Sequence, residues 1–283
     1  MTYKQRNLKF QFGLSSGQFN DEGANILTLE NVKAEVQVAA FGGLSANTLD
    51  AKIYGMSLKN MGLIGYKGVQ YGVVTQNSVK VWAEDVALFS GTIGWAYVDA
   101  NQMPDAPLII QASTTGYAQS EPVVDFSQQG IVKIADIITA MANYIKLTVV
   151  IHADVNGVEK DPHYTGNTID QIRTCARNNG LLIDIRLGAI FVWPEGKPVD
   201  NNVPYVSKET GLLGYPRFDG WGLEFTTMFS PLLIQGRDVQ VQTDLPNASG
   251  VYNINSAVHH LSSWIEGGPW MTMCSGTFYN AGR

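Results

Sequence analysis

The chain has 283 residues, of which 45% are apolar and only 16% charged, against about 25% charged in an average soluble domain. Ample apolar content and modest net charge exclude a disordered chain, and 29 glycines with no three-residue period exclude a collagen-like one. With 19 Lys and Arg against 25 Asp and Glu, and a net charge of −6, the balance also argues against a free-standing cationic nucleic-acid binder.

The polar remainder is largely neutral, with 19 Asn and 15 Gln. Low surface charge is therefore the feature that needs a cause. Two cysteines, Cys175 and Cys274, lie far apart, which fits neither a disulfide framework nor a CxxC metal site. The segment Met1–Phe10 lacks the apolar run of a signal peptide. No stretch reaches the roughly 18 apolar residues of a membrane span. The expectation is folding in a cytoplasm with no membrane span.

Residues 1–115 read as a β module. Leu8, Phe10 and Phe12 alternate with polar neighbours, as do Val32, Ala34, Val36 and Val38, then Val79, Val81 and Ala83. Period-two alternation places one face inside and one outside. Glycines punctuate these runs at Gly42-Gly43, Gly55, Gly62, Gly65, Gly68, Gly72, Gly91 and Gly94. Leu88–Tyr97 is β-branched and aromatic with two glycines, the pattern of a bent or bulged strand. Another strand is expected at Leu108–Ala112.

Residues 116–198 read as a small α+β insert. Ile131, Ile134, Ala135, Ile138, Met141, Ala142 and Ile145 form one apolar stripe, which predicts an amphipathic helix of about 15 residues. A strand follows at Leu147–Ile151, then Asn156-Gly157 as a tight hairpin turn. A second helix is expected over Thr168–Asn178, stopped by Asn178-Asn179-Gly180. Leu181–Arg186 and Ala189–Trp193 flank Leu187-Gly188 as a hairpin.

Residues 199–283 return to β, with strands at Leu223–Phe229, Asp238–Thr243, Val251–Val258 and Trp270–Ser275. The three segments carry net charges of −1, −2 and −3, so none concentrates a field. The two β modules rhyme weakly. Val32–Val38 then Ala51–Tyr54 in the first match Leu223–Phe229 then Val239–Val241 in the second. The fold class is mostly β with an α+β insert.

No constellation points firmly to catalysis. His259 and His260 fall on opposite faces of a strand and cannot chelate one ion. Cys274 could meet either as a Cys–His pair, but a buried thiol in a terminal strand is the plainer reading. His152, Asp154, Asn156, Asp161 and His163 surround a turn. A calcium loop would need Glu six residues after Gly157, where His163 stands. Glu121, Asp125, Glu159, Asp161, Glu209, Asp219 and Glu224 are available carboxylates, in no recognisable glycosidase pattern. No phosphate loop is present. Six Trp and twelve Tyr could line a sugar or protein surface, or fill cores and interfaces. No catalytic residue, cofactor or metal is expected.

The most specific stretch begins at Gly211-Leu-Leu-Gly-Tyr-Pro-Arg-Phe-Asp219. It continues through Gly222–Leu233, Gly236–Val241 and Gly250–Ile254 to His259–Ser263 and Gly267-Gly-Pro-Trp-Met-Thr272. This order resembles the C-terminal module of baseplate hub proteins from contractile-tailed bacteriophages. Ile53–Ser57, Met61, Val79–Val81, Phe89–Ile93 and Pro104–Leu108 look like the first tube module of those proteins. Tyr164–Ile172, Asn179-Gly180 and Gly188–Val192 are similar to their intervening unit.

The resemblance implies a structural role. It implies two β-barrel-like tube modules, residues 1–115 and 199–283, flanking the α+β domain at 116–198. It implies a homotrimer whose six modules form a ring in the virion tail baseplate, assembled in the host cytoplasm. Such a ring adapts a hexameric tail tube to a trimeric central spike and encloses the DNA channel. The implied partners are the tail tube or tube-initiator protein, the central spike protein, the tape measure protein and the baseplate wedge proteins. Genomic DNA passes through without specific binding. The chain is short for the family and has no attached lysozyme or spike segment, which leaves open whether it meets the spike unaided. As structural positions at module corners, the sequence offers Gly211, Gly214, Pro216, Pro231, Gly236, Gly267, Gly268 and Trp270, where Gly permits and Pro restricts the turn. A peripheral receptor- or carbohydrate-binding tail module, a muralytic tail enzyme and the hub of a type VI secretion machine are the competing readings.

Overall fold

A computed structural model describes residues 5–41, 46–65, 76–120, 124–220 and 222–278. Gly42, Gly43, Gly68, Gly72 and Glu121 lie outside the described residues. The chain forms two compact units. The first collects Met1–Ala39, Thr48–Tyr117 and His259–Trp270, and the second Ala40–Asn47, Ala118–Val258 and Met271–Arg283.

The first unit is built from β1 (Leu8–Gly13), β2 (Ile26–Leu29), β3 (Ala34–Ala40), β4 (Thr48–Ile53), β5 (Ser78–Ala83), β6 (Val86–Val98) and β7 (Leu108–Ser113). They hydrogen-bond in the antiparallel order β3-β4-β7-β6-β5-β1-β2. Alternation decides what is inside: Phe10, Phe12, Leu49, Ile53, Leu108 and Ile110 are fully buried. Each contributes about 1.5–3 kcal/mol by leaving water. β6 bends as its glycines suggest, with register shifts opposite Val81/Trp82 and at Ile93/Trp95.

Sequence periodicity missed one helix here, α1 (Leu58–Ile64), inside a stretch read only as glycine-rich. Ser57 caps it by accepting the Asn60 N–H at 3.3 Å. Met61 and Ile64 are its buried residues, and Gly65 ends it by donating to the Met61 carbonyl at 2.8 Å.

α2 (Gly116–Ser120) leads into the second unit. There β8 (Phe126–Ser127), β9 (Ile131–Lys133), α3 (Ile134–Tyr144), β10 (Thr148–Ile151), β11 (Val158–Lys160), β12 (His163–Tyr164), α4 (Thr168–Asn178), β13 (Leu181–Arg186) and β14 (Ala189–Pro194) form an α+β assembly. Its sheet runs β10-β14-β13, with β10 parallel to β14 and β13 antiparallel to it. α3, α4 and one face of this sheet share a core that includes Ile137, Ile138, Met141, Ile172, Ile183 and Val192.

Two expectations change in this assembly. The helix begins at Ile134, because Ile131–Lys133 is taken by β9, which pairs with β11 and leaves Ile131 76% exposed. Asn156-Gly157 does not close a hairpin, because β10 pairs with β14 and β11 with β9. Gly157 instead lets Ile134 approach: a Cβ there would stand 2.3 Å from Ile134 Cδ1. The hairpin at Leu187-Gly188 stands as expected, with φ of +49° and +79°.

The second unit also holds β15 (Tyr205–Val206), β16 (Leu212–Phe218), β17 (Leu223–Met228), β18 (Asp238–Val241), β19 (Gly250–Ser263) and β20 (Trp270–Phe278). Their order is β16-β17-β20-β19, with β18 antiparallel to β19 and β15 parallel to β18. Leu223, Phe225, Val239, Tyr252, Ile254 and Cys274 form a separate core. β19 is longer than its alternation suggested. Its residues to Val258 belong to this unit and those from His259 to the first. Among the described residues, β2 ends the order of the first unit and β16 that of the second.

Candidate functional site

The face of β13 and β14 turned away from α3 and α4 carries Asp184, Arg186, Phe191 and Trp193. Asp184 is 2% exposed and its Oδ2 lies 3.3 Å from Arg186 Nη1. The contact is one of charge and distance without hydrogen-bond alignment, since Arg186 Nη1 and Asp184 Oδ1 both lack a hydrogen-bond partner. Burial pushes the Asp184 carboxyl up, opposed by Arg186, by a hydrogen bond from the Asn47 side chain and by the Ile185 N–H. The Arg186 guanidinium also lies 4.0 Å over the Phe191 ring.

A second pair sits in the same unit. Arg237 Nε donates to Asp200 Oδ1 at 2.9 Å, Nη2 donates to Oδ2, and Nη1 donates to the Leu232 carbonyl at 2.7 Å. Burial works to raise the Asp200 carboxyl. The Arg237 hydrogen bond, the Asn202 N–H and the Arg237 and Arg186 charges outweigh it and hold the group below its ordinary range.

Gly236 connects this face with the C-terminal strands. Its φ is +78°, and a Cβ there would stand 2.4 Å from Cζ2 of the fully buried Trp193. Its N–H donates to the Ile254 carbonyl and its own carbonyl accepts the Val199 N–H, both at 2.7 Å. Asn47, Trp193, Asp200 and Gly236 thus link the chain at Asn47, the α+β part and the C-terminal strands within one unit. Sequence reasoning listed only Gly236 of these. Asp184 stands in β13 and Trp193 in β14, on the face of that hairpin which reads as solvent-facing until its neighbour is known.

The remaining corner residues do not gather at one place. Gly211, at φ +116°, approaches Met228 so closely that a Cβ would lie 3.2 Å from the Met228 Cβ. Its carbonyl accepts the Met228 N–H at 2.8 Å and Thr227 Oγ1 at 2.9 Å. Gly214, at φ +69°, and the buried Pro216 lie within β16, where the register against β17 shifts between Leu213 and Arg217. Pro231 opens a turn in which the Leu233 N–H donates to the Ser230 carbonyl at 3.3 Å. In the first unit, Gly267 has φ +67°, and a Cβ on Gly268 would meet Ser262 Oγ at 2.1 Å. Ser262 Oγ in turn donates to the Pro269 carbonyl at 3.0 Å. Trp270 is half-buried under the Arg6 guanidinium, 5.2 Å from its ring centroid.

Several of the titratable groups singled out in the sequence are buried or paired. Burial, then the charge of His260, lowers His259 to about 4. Burial raises the Cys175 thiol to about 11 and the Cys274 thiol further, the reverse of an activated nucleophile. Glu159 accepts the Tyr164 hydroxyl at 2.6 and 2.7 Å and Asn179 Nδ2 at 2.5 Å. Glu224 pairs with Arg217, Glu209 accepts Ser207 Oγ at 2.8 Å, and Asp219 and Asp161 accept backbone N–H groups at 2.7 and 2.6 Å. Asp154 faces Lys197 Nζ at 3.3 Å. Among the described residues no group of three or more His, Cys, Asp or Glu could hold a metal ion. No described helix is long and apolar enough to cross a membrane.

The outer sheet face of the first unit carries Trp95 and Tyr97, exposed and 5.7 Å apart. Beside them Gln111 Nε2 donates to Asp50 Oδ1 at 2.9 Å, and Lys52 stands opposite Glu35. Among the described residues this surface has mixed charge.

A family model described as baseplate hub gp41 matches residues 64–267. No curated protein matches the sequence. Among solved structures, the 43 kDa tail protein of prophage MuSo2 from Shewanella oneidensis superposes with a TM-score of 0.64 at 10% identity, covering 95% of this chain and 96% of that one. A tail protein from Neisseria meningitidis MC58 gives 0.66 at 12% identity, covering 96% of each chain. An Escherichia coli component of the type VI secretion system, described as similar to bacteriophage T4 tail proteins gp27 and gp5, gives 0.61 at 9% identity, covering 95% of this chain and 77% of that one. At these identities the likeness is one of fold.

Proposed function

The chain belongs to the baseplate hub gp41 family and is a structural protein of a phage tail baseplate, and from that premise we propose that three copies form a ring. Each copy contributes two tube-like β modules, residues 1–115 and 199–283, with residues 116–198 as the insert between them. The six modules match the hexameric tail tube on one side and the trimeric central spike on the other. The observation that supports this reading is the span of the family match, residues 64–267, which runs from the last residue of α1 through the insert and past β19, ending before β20.

The ring's partners are the tube or tube-initiator protein, the spike, the tape measure protein and the wedge proteins. DNA passes along its axis. The absence of a net positive charge in any third of the sequence suits a conduit, since phosphates neutralised by Lys or Arg would bind and hold. The corner residues from Gly211 to Trp270 fix the backbone where the modules turn. Assembly takes place in the host cytoplasm.

Co-expression with the tube protein, followed by light scattering and negative-stain imaging, tests the reading. Three copies enclosing an axial channel are expected. A chain that stays monomeric at high concentration and forms no ring with the tube protein refutes it.

A further inference from the structure

The sheet edges are the unfinished part of both units. β2 is Ile-Leu-Thr-Leu, and none of its four residues is buried. It pairs with β1 alone, from Phe10↔Leu29 to Gly13↔Ile26. Natural edge strands are guarded by charge, proline or a bulge, and β2 contains none of these. Ile26 is 54% exposed. β16 is the corresponding edge of the second unit, where Pro216, Arg217 and a bulge guard the rest of the strand but not its Leu212–Leu213 end. It exposes Leu213, Tyr215 and Phe218, at 44%, 74% and 54%. Its bulge interrupts pairing with β17 only in the middle. Leu212 and Leu213 are in register on one side, and Arg217 and Phe218 on the other.

From these two edges we propose that β2 of one copy pairs with β16 of the next. The inference rests on the ring reading and supplies its contact. The two edges differ, so one interface used head to tail satisfies both. A β2–β2 contact would be isologous, would stop at a dimer and would leave β16 open. The short length of β2 limits the pairing to one regular end of β16, which selects a register and discourages open-ended growth.

Single-cysteine variants test the contact. Thr28→Cys and Leu213→Cys place thiols on exposed positions of the two strands, with Tyr215→Cys and Phe218→Cys covering alternative registers. The native Cys175 and Cys274 are buried and stay silent. The variants are treated with a short bismaleimide after co-expression with the tube protein, with circular dichroism confirming the fold. A mixture of Thr28→Cys and a β16 variant is expected to give covalent dimers that neither gives alone. The double variant on one chain is expected to give a ladder ending at three. Linkage of Thr28→Cys to itself overturns the proposal in favour of an isologous contact. A ring that forms while no mixture cross-links overturns the proposal and leaves the ring standing. A monomer that never forms a ring overturns both. As an independent arm, Ile26→Lys with Thr28→Lys is expected to weaken self-association at least tenfold with an unchanged melting profile, and undiminished assembly counts against the contact.

Discussion

Replacing Gly236 by alanine tests whether the Trp193 contact holds the second unit together. Two costs arise. A residue with a Cβ at φ +78° is disfavoured by about 1–2 kcal/mol. The new methyl would also stand 2.4 Å from Trp193 Cζ2 and 2.9 Å from Cε2. Trp193 has no exposed surface into which it could withdraw, so overpacking adds about 1–3 kcal/mol. Gly196→Ala is the matched control, because Gly196 has the same φ of +78° and nothing within 4 Å of its would-be Cβ. It should lose only the backbone share of about 1–2 kcal/mol. Urea unfolding followed by far-UV circular dichroism compares the two. Trp193→Leu completes a cycle. It is itself costly, but in its background Gly236→Ala should fall back to the cost of the control, a coupling of about 1–3 kcal/mol. If Gly236→Ala is no worse than Gly196→Ala, or if Trp193→Leu gives no relief, the close approach is not what binds these segments.

Other expectations concern single groups. The folded His259 is depressed to about 4 against about 6.5 unfolded. Its contribution is therefore intact above pH 6.5 and is lost as the pH falls toward 4, about 3 kcal/mol in all. His259→Gln should flatten that part of the stability–pH curve, and parallel wild-type and variant curves would refute the assignment. Ser57→Ala should cost about 1 kcal/mol by leaving the Asn60 N–H of α1 uncapped, read as a lower melting temperature that Ser57→Asp restores. Ellman's reagent at pH 8 should find neither thiol in the folded chain and two after denaturation, because Cys175 and Cys274 are both buried. Rapid labelling of the native protein would contradict their burial.

Local pattern was readable wherever a segment's own residues decide its structure. β1, α4 and the β13–β14 hairpin follow from strict period two, an apolar stripe opened by Asn167 and closed at Asn179-Gly180, and Leu187-Gly188 in left-handed conformations. Where a partner elsewhere decides, the pattern failed. Ile131 continues the stripe of α3 in spacing, yet β11 captures it as a strand. α1 was hidden among glycines, although Ser57, Met61 and Ile64 carried its signal. β16 looked like a rigid turn because Gly214 and Pro216 are turn residues, and only β17 makes it a strand. The polar face of β13 and β14 was the least legible. Nothing local says that Asp184 is buried or that Trp193 meets Gly236, because both contacts join segments distant in the chain.

The unusually low charge and the open edges are two sides of one arrangement. A free monomer that exposes Ile26 on β2 and Leu213 at the unguarded end of β16 invites uncontrolled pairing. Charged side chains on those strands would prevent it, but would also block any specific partner. With only 16% charged residues, the chain leaves β2 and the Leu212–Leu213 end of β16 uncharged, which is the composition of an interface core rather than of a solvent-facing rim. Specificity must then come from shape. The shift between Leu213 and Arg217 breaks β16 into two short regular ends, and a strand as short as β2 cannot pair regularly with both. Such an edge accepts one short strand and rejects an extended sheet. On the proposed pairing, removing the irregularity with Gly214→Val and Pro216→Thr should convert closed assemblies into larger, polydisperse ones. Sedimentation profiles that keep a single discrete species would show that the bulge does not limit growth.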